Sequence, residues 1–154
     1  MSEPVDIVQL VRALPARARG RACIVLTHEV VGRAEWAAKL AAQTDSEHLD
    51  LLDHFAQDRT LAGRIAHFSV EHLFDFLKNR SPAPVLIVSG IEFLTATWAG
   101  QPNAIERLAG RVETWNGRPC LLFVLQYDRA IATRRFGRHR QHTFVVDQAD
   151  TLQL

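Results

Sequence analysis

Thr27, Gly32, Arg33 and Ala34 stand at the spacing of a phosphate-binding loop but carry only part of its chemistry. The pattern for such a loop is G-x-x-x-x-G-K-[ST]. Its glycines shape a backbone cradle, its Lys reaches the β/γ-phosphates and its hydroxyl binds Mg²⁺. Aligned on Gly32, Thr27 takes the place of the first Gly, Arg33 that of the Lys and Ala34 that of the Ser/Thr. Ala34 cannot ligate a metal, and Thr27 lacks the backbone freedom of glycine. Arg33 can still pair with phosphate, through a planar fork rather than an ammonium. Glu29 adds a carboxylate inside the loop, where it would repel a triphosphate.

A second segment belongs to the same chemistry. The apolar run 85–88 leads into Ser89-Gly90-Ile91-Glu92, with Ser89 where a metal-holding Asp is expected. Glu92 is the candidate catalytic residue, near the position that activates water. Gln126 ends another apolar run, either as a γ-phosphate sensor or as a polar residue closing a strand. The candidate nucleotide-binding set is therefore Thr27, Gly32, Arg33, Ala34, Ser89 and Gln126. No metal is expected. The histidines have no ligand spacing, and His67 and His72, five apart, share a helical face poorly. There is neither a G-x-S-x-G elbow nor a convincing Cys/His pair.

The elements that must position these residues alternate. Short apolar runs at 22–26, 85–88 and 120–125 are strands buried on both faces, with further strands at 48–53 and 143–146. Helical periodicity covers 4–14, 35–43, 68–79 (Ser69 as N-cap) and 102–115. Strands alternating with helices of this length predict one α/β domain over 1–154 with a parallel sheet. Trp98 is expected in a loop at the carboxyl end of the third strand, as an interface anchor or packed beneath the loop.

On the loop around Gly32, the segment 49–61 and the segment 85–94, the chain resembles the additional-strand class of P-loop ATPases, the RecA/AAA-like branch. More narrowly, it is similar to the small P-loop proteins of BREX-type phage-defence systems. The resemblance covers about residues 20–95. It implies a three-layer P-loop NTPase-like (RecA-like) fold with a mainly parallel five-stranded sheet, and a role in antiviral defence. In that family an Asp-x-Ile-Glu strand end is expected. Here it reads Ser89-Gly90-Ile91-Glu92, a departure that counts against ATP hydrolysis.

With 47% apolar and 23% charged residues and a net charge of +1, the chain has no global field drawing it to nucleic acid or membrane. Local charge differs. Arg129, Arg134, Arg135, Arg138 and Arg140 crowd one segment with no acid between Arg129 and His142. That segment would hold DNA or RNA phosphates, meet an acidic partner, serve as an arginine finger, or simply be solvated. Arg12, Arg17, Arg19 and Arg21 form a second basic cluster. Cys23 and Cys120, both in apolar runs, suit a reducing compartment. The N-terminus reads without a leader and no run approaches the ~18 apolar residues of a membrane span, so the expected location is cytoplasmic, away from membrane.

The expectation is a non-catalytic RecA-like accessory or scaffold protein of a bacterial multi-protein system. Its partners would be protein subunits of the complex and DNA, with oligomerisation open. No cofactor is required, ATP at most binding weakly. The alternative is an ATP-binding or hydrolysing P-loop NTPase that needs a partner for activity. A third reading is an interaction domain with neither nucleotide nor DNA.

Overall fold

The computed structural model describes residues 6–29, 31–133, 142–146 and 148. Its centre is a five-stranded sheet formed by β1 (Ala22–Thr27), β2 (Glu47–Asp50), β3 (Val85–Ser89), β4 (Cys120–Gln126) and β5 (Thr143–Val146). The order is β2-β3-β4-β1-β5, and every pairing is parallel. Parallel pairing requires a crossover between successive strands, which the intervening helices provide.

Two apolar clusters flank the sheet. On one face, α1 (Ile7–Ala13) and α2 (Arg33–Gln43) set Ile7, Val11, Trp36 and Leu40 against Cys23, Val25, Ile87 and Leu122. On the other, α3 (Leu51–Ala56), α5 (Val70–Leu77), α6 (Glu92–Trp98), α7 (Ala104–Thr114) and α8 (Arg129–Ala132) cover Ile24, Leu26, Val88 and Phe123. A short α4 (Arg59–Ala62) connects α3 towards α5. Successive residues of β1, β3 and β4 thus enter opposite cores, so their apolar runs are continuous rather than alternating. The result is a three-layer α/β arrangement.

Several boundaries differ from the sequence expectation. The second strand stops at Asp50 instead of residue 53, because the Asp50 carboxylate accepts the Asp53 N–H and starts α3. The fourth expected helix segment shortens to 104–114, and the first ends at Ala13, with Leu14 entering a tighter turn. Ser69 does cap α5, in a reciprocal capping box with His72. The segment after β3 is corrected from loop to helix: Trp98 closes α6, is buried, and donates its indole N–H to the Phe68 carbonyl at 2.7 Å. It is a core residue and not an exposed anchor.

Candidate functional site at the carboxyl edge

Thr27 and Gln126 are register partners at the carboxyl ends of β1 and β4. The chain leaving β1 enters α2 on one face, while the chain leaving β4 enters α8 on the other. A crevice opens where neighbouring connections diverge in this way, and open α/β sheets bind their ligands there. The sequence candidates Thr27, Gly32, Arg33, Ala34, Ser89, Glu92 and Gln126 all lie on this edge.

Gly32 caps α2 with φ 83°, a left-handed conformation that glycine adopts without penalty. Arg33 is the first residue of the helix. Its guanidinium turns back towards the crevice, donating through Nη1 to the Glu29 carbonyl at 3.0 Å. Its Nε lies 3.4 Å from Oε2 of Glu92. The same Glu92 oxygen accepts the Gln126 backbone N–H at 3.0 Å. One carboxylate thereby ties α2, α6 and the end of β4 together. The guanidinium that would meet a phosphate faces an anion of the protein itself.

The loop is also braced from beyond β5. Gln148 donates its side-chain amide to Thr27 Oγ1 at 3.1 Å and its backbone N–H to Glu29 Oε1 at 3.0 Å. Thr27 is fully buried. Glu29 Oε2 is buried and has no hydrogen-bond partner among the described residues. At the tip, Val31 is 79% exposed, and His28 stacks on Tyr127 with ring centroids 4.3 Å apart.

Ser89 belongs to a neighbouring network. Its hydroxyl donates to Asp50 Oδ2 at 3.1 Å and meets His48 Nε2 at 2.7 Å. With the hydroxyl proton directed at Asp50, His48 Nε2–H is the donor to Ser89 Oγ. Burial holds the His48 pKa below its ordinary value, against the opposing pull of the Asp50 charge. Gly90 makes room for this network: a Cβ there would stand 2.6 Å from Asp50 Oδ1. Sequence spacing did not single out His48 or Asp50, since the β2–β3 register alone brings Asp50 opposite Ser89.

Ala34 lines a shallow hollow of about 410 Å³ with Asp50 and Asp53. Among the described residues no group of three or more His, Cys, Asp or Glu side chains is placed to hold a metal ion. Arg129 begins α8 behind its Asp128 cap and is exposed. Arg134, Arg135, Arg138 and Arg140 lie outside the described residues. In the second basic cluster, Arg12 donates to the Gln43 carbonyl at 3.0 Å, joining α1 to α2, and Arg17 to the Gly20 carbonyl at 3.2 Å within the loop before β1. Among the described residues no helix is long and apolar enough to cross a membrane.

No protein-family model matches the chain, and no curated protein matches it.

Proposed function

We infer that the chain is a catalytically silent P-loop-like domain of the RecA type, acting as an accessory or scaffold subunit of a bacterial multi-protein system. The observation that carries this reading is the Arg33–Glu92 ion pair, 3.4 Å across the crevice. The cation expected to grip phosphate and the acid expected to activate water neutralise each other. A nucleotide would have to displace Glu92 and face the buried Glu29 carboxylate as well. Ala34 and Ser89 supply no metal carboxylate, and the Ser89 hydroxyl is engaged by His48 and Asp50.

The strand order supports the RecA-like assignment. β4 is intercalated between β1, which carries the loop, and β3, which carries Ser89. An added strand in that place is what the additional-strand class is named for. The resemblance to BREX-type P-loop proteins gives the scaffold its setting in phage defence. The exposed Arg129 and the arginines that follow it give the scaffold a DNA contact.

The test is calorimetry with ATP and ADP, with and without Mg²⁺, alongside an ATPase assay. Neither binding nor turnover is expected. Mg²⁺-dependent hydrolysis abolished by Arg33→Ala would overturn the silent assignment and favour the partner-dependent NTPase. For DNA, reversing Arg134, Arg135 and Arg138 to Glu should abolish retention of duplex DNA while the protein stays folded. Retention unchanged by that triple reversal would overturn the DNA contact.

A further inference from the structure

At the amino edge of the sheet, opposite the crevice, three helix-to-strand returns line an open-sided cleft of about 700 Å³. The approach to β1 contributes Arg21, the return from α5 to β3 contributes Asn79 and Ser81, and the return from α7 to β4 contributes Arg118. The volume is that of a small-molecule site, for which ~300–1,000 Å³ is usual. Pro82, Pro84 and Pro119 form apolar parts of its wall. Their fixed φ angles make that wall stiff, so little ordering is needed on binding.

The charge inside is unbalanced. Arg21 donates through Nε to the Arg17 carbonyl at 2.6 Å, which orients its guanidinium, and among the described residues its terminal nitrogens meet no acceptor. Neither Arg21 nor Arg118 has an acidic partner among the described residues. Glu47, the carboxylate that bonds a lining residue, accepts the Ser81 hydroxyl. The Cys120 thiol also lines the cleft, and burial pushes its pKa up, so it contributes no anion at neutral pH. Two guanidiniums in a concave site match a dianionic group with three acceptor oxygens, and their planar forks suit it. A carboxylate would balance only one of them.

We propose that the amino-edge cleft binds a small organic phosphomonoester, its phosphate held by Arg21 and Arg118 and its body against the proline wall. The site is independent of the crevice and of the silent assignment made for it. Two cations on separate returns make a single anchoring point and not the continuous track of charges that a polymer backbone needs, which favours a small molecule.

Calorimetry on the full chain tests the proposal, with AMP, inorganic phosphate and adenosine as probes. AMP should bind, inorganic phosphate should compete with it, and adenosine alone should not bind. Arg118→Gln should weaken AMP at least about tenfold, the scale of losing a charge-assisted contact. Arg118 is exposed and its guanidinium serves no described partner, so this variant should keep the wild-type unfolding midpoint. Arg21→Gln should weaken AMP similarly, but it also removes the bond to Arg17 and is the secondary variant. Silence of both AMP and inorganic phosphate at millimolar concentration overturns the proposal and leaves the silent assignment standing. AMP binding lost with Arg33→Ala but kept with Arg118→Gln would place AMP in the carboxyl-edge crevice, again overturning it. Binding of a single-stranded oligonucleotide through Arg118, without binding of AMP, would make the cleft a nucleic-acid contact instead.

Discussion

Arg33 and Glu92 meet across the crevice between β1 and β4, Nε to Oε2 at 3.4 Å, with side chains 18% and 35% exposed. Partial exposure limits what such a pair adds to stability, so its main effect is to neutralise the loop. Glu92→Gln keeps an acceptor for the Gln126 N–H but removes the charge. Stability should fall by at most about 1 kcal/mol in urea unfolding. The same variant should acquire measurable affinity for pyrophosphate, because Glu92 no longer offsets the Arg33 charge at 3.4 Å. No gain of affinity would mean that the ion pair is not what closes the site.

Gly32→Ala should cost about 1–2 kcal/mol. The cost comes from the backbone at φ 83°, since a Cβ would meet only Gln148 Oε1 at an ordinary 3.5 Å. For a chain of this size that loss lowers Tm by roughly 2–8 °C, measurable by calorimetry. An unchanged Tm would show that the loop relaxes to another conformation at no expense.

Trp98→Phe should destabilise the fold by about 2–3 kcal/mol. It leaves the Phe68 carbonyl without its 2.7 Å donor and a void beneath α6. Chemical denaturation provides the check. A cost near zero would mean that the indole N–H is dispensable.

His48 has a pKa held below its unfolded value of 6.5, chiefly by burial. The unfolded chain therefore takes up a proton that the folded chain resists. The stability this contributes is present above pH 6.5 and is lost as pH falls through the depressed pKa. Urea midpoints compared at about pH 7.5 and about pH 5.5 should drop on acidification, and His48→Gln should flatten part of that drop. An identical drop in the variant would assign the acid sensitivity to other groups.

Cys23 is pushed up to about 11 by burial, despite the nearby Arg17. Its thiol should react with iodoacetamide at pH 8 far more slowly than in the urea-unfolded chain, because little thiolate is present and access is blocked. Equal rates in both states would indicate frequent local opening around β1.

The sequence by itself determined the sheet. β1, β3 and β4 are continuous apolar runs because both faces of the sheet are covered, and that pattern is visible one residue at a time. Gly32 was legible from its spacing between an apolar run and a helical segment, while its left-handed φ of 83° as the N-cap of α2 came from the structure.

Tertiary structure alone decided the rest. α6 escaped notice because it is seven residues long and its N-cap, Ile91, makes no side-chain cap. Asp50 had two roles competing for it, strand end and helix cap, and hydrogen bonding to Asp53 settled the boundary. The Glu92 charge faces Arg33 because β1, β4 and β3 run parallel, so α2 and α6 begin on the same edge and Glu92 reaches over the end of β4 to Arg33. Gln148 reaches Thr27 across 121 positions of the chain. Contacts of that separation leave no periodicity in the sequence, because strand order and register create them and not local spacing.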